Sequence, residues 1–201
     1  RVEIDSSDVT ISDSIIRETY DTGVSIGNVS PVIQNSTIVN TRNAAFHYSS
    51  FYATPTLLNN TTDKPYISYP SGRIDESFTL THSNLSPWMP YLPRSTITIA
   101  PDTTLTIEPG VEIWATNLLS ILIDGSLVAK GTSEQPIKFT SGKTSPSRGD
   151  WREVEFHIGS SGSLEHVVIE YGRRVEIDSS DVTISNSIIR ESSGVGLTVE
   201  N

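Results

Sequence analysis

Residues 1–50 read RVEIDSSDVTISDSIIRETYDTGVSIGNVSPVIQNSTIVNTRNAAFHYSS. Three apolar–polar–apolar triplets stand in this stretch, Val2-Glu3-Ile4, Val24-Ser25-Ile26 and Phe46-His47-Tyr48, each at an offset of 22 from the last. The same offset joins Ile11 to Ile33, Ser14 to Ser36 and Ile16 to Ile38. Alternate residues of a strand share a face, so each triplet turns two apolar side chains one way and a polar one the other. A period near 22 is too short for a sandwich of hairpins. It fits one coil of a parallel solenoid, with about three short strands per coil and the apolar residues inward.

The pattern continues along the chain. Ile99/Ile121, Leu105/Leu127 and Ile107/Ala129 again differ by 22, and Val154–Phe156, Val175–Ile177 and Leu197–Val199 follow at 21 and 22. A longer repeat contains this one. Arg1–Glu18 and Arg174–Glu191 agree at 17 of 18 positions, Asp13 standing against Asn186. Beyond Glu18 the match fades, with Gly23/Gly196 and Asn28/Asn201 still in register at the offset of 173. The chain therefore reads as one 173-residue unit and the opening of a second, a piece of a longer tandem array. With a period near 22 a unit holds about eight coils, and at roughly 4.8 Å per coil it extends about 38 Å.

Composition agrees. Ile, Val and Thr number 59 against 19 for Ala, Leu and Met, and Ser plus Thr number 52. Cβ-branched residues suit pleated strands and lose side-chain freedom in helices, so the expected class is all-β. The fold expected is a parallel β-helix of roughly eight to nine coils. One such domain covers residues 1–201. Its first coils lie in residues 1–63 and further coils in 96–201, with 174–201 restarting the repeat. Residues 64–95 hold five of the eleven prolines and break the rhythm, so they read as an irregular connection with a short strand at Phe78–Leu80. The Ser/Gly/Pro-rich stretch Ser141–Gly149 reads as a loop bulging from the coils. A net charge of −10 argues against a nucleic-acid partner, because phosphate contacts need clustered Lys and Arg. No apolar run approaches the roughly 20 residues that cross a bilayer as a helix. The absence of cysteine removes disulfides and Cys-based zinc or nucleophile chemistry.

Turn signals punctuate the coils. Glu108-Pro109-Gly110 suits a type II turn and Asp124-Gly125 is a second turn pair. Asp13, Asn35, Asn59 and Asn186 each follow an inward Ile or Leu by two residues, and His166 holds the equivalent place. Polar side chains stacked coil upon coil satisfy turn backbone and one another, so these five are expected to form a ladder.

Residues Thr96–Ala115, Ser120–Ser141, the strand led by Trp151 and the GSLEHVVIEYG run from Gly162 resemble right-handed parallel β-helix repeat proteins of the pectate-lyase-like superfamily, mostly secreted or surface proteins. The resemblance covers residues 95–201 by motif and 1–58 by coil pattern. It implies a fold and an extracellular or cell-surface location, and brings no catalytic signature with it.

The chemistry is sparse. The signatures of polysaccharide hydrolases on this fold are missing, and the nearest set for a lyase is Asp150, Arg152, Glu153 and Glu155, of which Arg152 faces away from Glu153. A solvated outer strand face accounts for these charges, so the chain is not expected to be an enzyme. His47, His82, His157 and His166 show no metal-ligand spacing. The expectation is no cofactor. Asp5-Ser6-Ser7-Asp8 and Asp178-Ser179-Ser180-Asp181 offer the oxygen donors calcium takes, and turn capping explains them equally well. Tyr48, Tyr52, Tyr66, Tyr69, Trp88 and Tyr91 cluster in the first half as candidate sugar-stacking rings, the alternative being rings that cover the core. The expected function is a structural tandem-repeat unit of a secreted or surface fibre whose partners are further copies head to tail. Alternatives are a carbohydrate-binding adhesin module and a polysaccharide lyase or hydrolase.

Overall fold

The computed structural model describes residues 1–6, 9–82, 89–116 and 119–200. Every regular element among them is a strand, and every pairing in register is parallel. The chain is an all-β parallel solenoid of about nine turns, successive turns standing at an offset near 22. It divides into two compact units, residues 1–70 with 83–92, and residues 71–82 with 93–201.

In the first unit Val2–Ile4, Val24–Ile26, Phe46–Tyr48 and Ile67–Tyr69 are successive neighbours, paired Val2↔Val24, Val24↔Phe46 and Phe46↔Ile67. Two further ladders run Thr10–Ser12, Val32–Gln34, Thr56–Leu58 and Ile15–Arg17, Thr37–Val39, Thr61–Thr62. Val24, Ile26, Ile33, Ile38, Phe46 and Ile67 are wholly buried, so the inward positions of the triplets form the core.

The second unit holds a six-stranded ladder, Gly72–Ile74, Ile97–Ile99, Ser120–Ile123, Glu153–Phe156, Arg174–Asp178 and Leu197–Glu200. Beside it runs a five-stranded one, Phe78–Leu80, Thr104–Ile107, Ser126–Lys130, Ser161–Glu165 and Asp181–Ser185. A third ladder takes in Glu112–Ala115, Ile137–Ser141, Val167–Glu170 and Ile188–Arg190. Leu105 pairs with Leu127 and Ile107 with Ala129, as the offset of 22 predicts. Ile99 does not pair with Ile121. Ile97 does, and Ile99 pairs with Ile123. A slip of two residues keeps the apolar side inward, so the sequence pattern cannot distinguish the two registers.

Residues 64–95 differ from expectation. Phe78–Leu80 is a strand, and so are Ile67–Tyr69, Gly72–Ile74 and Tyr91–Pro93, each placed in a ladder. Pro65, Pro70 and Pro90 stand outside the strands, where a missing N–H is harmless, and Pro93 is the last residue of its strand. Ile121 pairs with Val154, an offset of 33 in place of 22, and the loop after Ile137–Ser141 absorbs the excess. Asp150 ties that loop down. Its buried carboxylate accepts hydrogen bonds from Ser141 Oγ (2.6 Å), Lys143 Nζ (2.7 Å) and the Ser147 N–H (2.8 Å).

The expected turn ladder is displaced by one residue. Asp13, Asn35, Asn59, His166 and Asn186 share a left-handed backbone, φ between 48° and 51°, which short polar side chains tolerate better than most. One amide rung joins them, Asn59 Nδ2 to Asn35 Oδ1 at 3.3 Å, on an exposed edge. The inward rungs come from the residues that follow. The Ser14 N–H donates to Ser36 Oγ (3.2 Å), and the Ser36 N–H to Asn60 Oδ1 (3.0 Å). Asn60 Nδ2 in turn donates to the Ile33 carbonyl (2.8 Å). The left-handed residue reverses the chain and points outward, and its successor points back into the coil.

Candidate functional site

The outer face of the six-stranded ladder gathers a cluster of charged side chains. Glu153 lies opposite Arg174 and Glu155 opposite Glu176, the inward Val154 and Phe156 alternating with them. Like charges directly opposite repel, and two cations offset this. Arg174 Nε pairs with Glu153 Oε2 at 3.1 Å, and its guanidinium also meets Glu176. The His157 ring bridges outward carboxylates, Nδ1 to Asp124 Oδ1 at 2.6 Å and Nε2 to Glu155 Oε1 at 3.4 Å. Glu153, Glu155 and Glu176 bring one oxygen each within 4.8 Å of one another, the one such group among the described residues. All three are half-buried. Burial pushes the Glu155 carboxyl up, His157 opposes, and the neighbouring Glu153 and Glu176 add to the rise. The bond to Asp124 raises His157 against the effect of its own burial. The set can hold a proton or a cation, and Arg174 already fills part of that role.

Of the lyase-like candidates, only Glu153 and Glu155 share this face. Asp150 is buried beneath its loop and Arg152 is exposed. Sequence reasoning missed Arg174, Glu176, His157 and Asp124. Glu176 sits in the repeated VEI triplet and Arg174 immediately before it, and a register read from Val154 to Val175 would have placed both.

The first unit carries a shallow cleft of about 580 Å³. Glu18, Tyr20, Asn40, Arg42, Asp63 and Lys64 line it. Tyr20 is 84% exposed and its ring lies 4.9 Å from the Arg42 guanidinium carbon. Thr41 also borders the cleft, and its buried hydroxyl has no hydrogen-bond partner. Tyr20 was not among the expected sugar-stacking rings. Of those, Tyr48, Tyr69 and Tyr91 are buried and pack together, with centroids 4.8 to 6.1 Å apart. Their faces are covered by one another and are closed to a ligand. Tyr69 donates its hydroxyl to the Phe51 carbonyl (3.1 Å) and the half-buried Tyr66 to the Asn43 carbonyl (2.7 Å). Tyr52 is half-buried, and Trp88 lies outside the described residues. For the calcium reading, Asp178 and Asp181 end and begin neighbouring strands joined through Ser179 at φ 41°, and Asp8 lies outside the described residues.

Residues 72–156 match a family model described as a pectate-lyase like beta helix domain. That span takes in four successive strands of the six-stranded ladder, from Gly72–Ile74 to Glu153–Phe156. Over these residues the chain is similar to pectate-lyase-like β-helix domains. No curated protein matches the chain, and no solved structure does. The matched span contains Glu153 and Glu155 but not Arg174 or Glu176, which belong to the second copy of the repeated segment.

Proposed function

We propose that the chain is a structural tandem-repeat unit of a secreted or cell-surface fibre or stalk, without catalytic activity, whose partners are further copies joined head to tail. One observation carries this reading. The two near-identical segments meet their following strand in the same register, Val2↔Val24 and Ile4↔Ile26 in one, Val175↔Leu197 and Ile177↔Val199 in the other. The second segment is at the same time docked in register on Glu153–Phe156, Ser161–Glu165 and Val167–Glu170. Repetition of one coil with its pairings intact is what a joint between stacked units requires, because stacking buries each open coil face against the next. Electron microscopy of a chain of several 173-residue units tests this. Stiff rods that lengthen in proportion to unit number are expected, and separate compact beads would overturn it.

A second reading, a carbohydrate-binding module, is favoured by the exposed Tyr20 ring held beside Arg42 in a cleft rich in hydroxyl partners. An aromatic face with flanking carboxylate and guanidinium groups suits a pyranose ring. A glycan array should then show binding that Tyr20→Ala abolishes. Binding unchanged by that substitution would remove the cleft from consideration, and breakdown of an array glycan would contradict the non-catalytic reading.

A further inference from the structure

We propose that Arg1–Glu18 of one molecule docks on the coil Glu153–Glu170 of a second copy, taking the place that Arg174–Glu191 occupies within a single chain. This coil exchange rests on the tandem-repeat reading and deepens it by naming both surfaces. Within the chain, Arg174–Asp178 pairs with Glu153–Phe156, Asp181–Ser185 with Ser161–Glu165, and Ile188–Arg190 with Val168–Glu170. Four side chains fix this docking. Arg174 Nε meets Glu153 Oε2 at 3.1 Å and Arg190 Nε meets Glu170 Oε2 at 2.7 Å. Arg148 Nε meets Glu191 Oε2 at 2.9 Å, and Ser187 Oγ accepts the Val167 N–H at 3.0 Å.

Each residue that the docked segment contributes recurs at the offset of 173, as Arg1, Arg17, Glu18 and Ser14, and so do the inward Val2, Ile4, Val9, Ile11 and Ile16. The one difference, Asp13 for Asn186, falls at an exposed left-handed turn position with φ 48° and 50°. The surface on Glu153–Glu170 therefore cannot tell the two segments apart. Exchange restores each pairing of the surface Glu153–Glu170, and what opposes it is the release of the resident coil together with the pairing of Arg174–Asp178 to Leu197–Glu200. Its limit is also set. Ser193 packs so closely on Gly149 that a Cβ there would lie 2.7 Å from Ser193 Oγ, and the first segment has Tyr20 at the matching position. The interchangeable stretch ends at Glu18.

The chain has no cysteine, which makes the test clean. Ser163 pairs with Thr183, and Thr10 is the copy of Thr183. Paired strands lie roughly 4.8 Å apart, within disulfide reach. One chain carrying Ser163→Cys is mixed with another carrying Thr10→Cys and oxidised. The expected result is a cross-linked dimer in several-fold excess over that from a Thr56→Cys control. A single chain carrying both Ser163→Cys and Thr183→Cys should close its own bond, showing that the substituted coils fold, and should then cross-link no Thr10→Cys partner. Cross-linking at Thr10→Cys no better than at Thr56→Cys overturns the exchange. If multi-unit chains still form rods in the microscope, that result leaves the tandem-repeat reading standing.

Discussion

Single side chains decide how tightly the second unit closes. Gly162 stands opposite the inward Leu127 where the ladder calls for an apolar side chain. A Cβ at Gly162 would lie 2.4 Å from Cε1 of the wholly buried Phe156, so the ring fills the room that glycine leaves. Gly→Ala in a strand ordinarily lowers the entropy of the unfolded chain and stabilises slightly. Here the clash wins, because a buried ring has nowhere to move. Gly162→Ala is expected to cost about 1–3 kcal/mol in urea unfolding. The same substitution made beside Phe156→Leu should cost less, since the shorter side chain vacates the contested space. Equal costs in both backgrounds would show that the ring is not the obstacle. The left-handed turn residues belong to this scale as well. The Asn and Asp at these places were legible in the sequence, yet they are explained by backbone conformation more than by an amide ladder, whose inward rungs fall to Ser36 and Asn60.

At the scale of the element, the outer strand face of Glu153–Phe156 and Arg174–Asp178 links charge to pH. His157 is raised chiefly by its bond to Asp124, and Glu155 is raised chiefly by burial. A histidine raised on folding adds stability that is complete below its unfolded value, about 6.5, and is lost as pH rises through the higher folded value. A raised carboxyl acts in the same direction from about 4.3 upward, because the unfolded chain ionises first. Asp150 acts oppositely. Burial would raise it, but the bonds from Lys143, Ser141 and the Ser147 N–H prevail and lower it, so its contribution is present above about 3.9 and lost in stronger acid. Urea midpoints should therefore fall from pH 6 to pH 8, and His157→Gln should flatten that slope. A slope unchanged in His157→Gln would exclude the ring as its source. None of this was visible along the sequence, where Asp124 and His157 are 33 residues apart. The loop between their strands sets that spacing, and loop length leaves no mark on the inward pattern.

Over the whole molecule, the apolar triplets, the repeat of 173 and the β-branched composition were enough to specify an all-β chain coiled in parallel. The inward side of every strand is imposed by alternation, and alternation is written in the sequence. Residues 64–95 show where that reading stops. Their prolines suggested a break, but Ile67-Ser68-Tyr69 repeats the Phe46-His47-Tyr48 triplet at an offset of 21 and pairs with it. The aromatic cluster shows the same division. Its tyrosines were plain in the sequence, and only the fold turned Tyr48, Tyr69 and Tyr91 inward while leaving Tyr20 exposed beside Arg42. The sequence by itself determined the class, the coil and the near-identity of its two segments, because these depend on which side of a strand is apolar and on counting. Tertiary structure alone decided the register Ile97↔Ile121 and the offset of 33 that sets His157 beside Asp124, and with them the charged face. A slip of two residues leaves burial unchanged but changes every outward neighbour, since strands stacked roughly 4.8 Å apart place each exposed side chain against a residue of another coil.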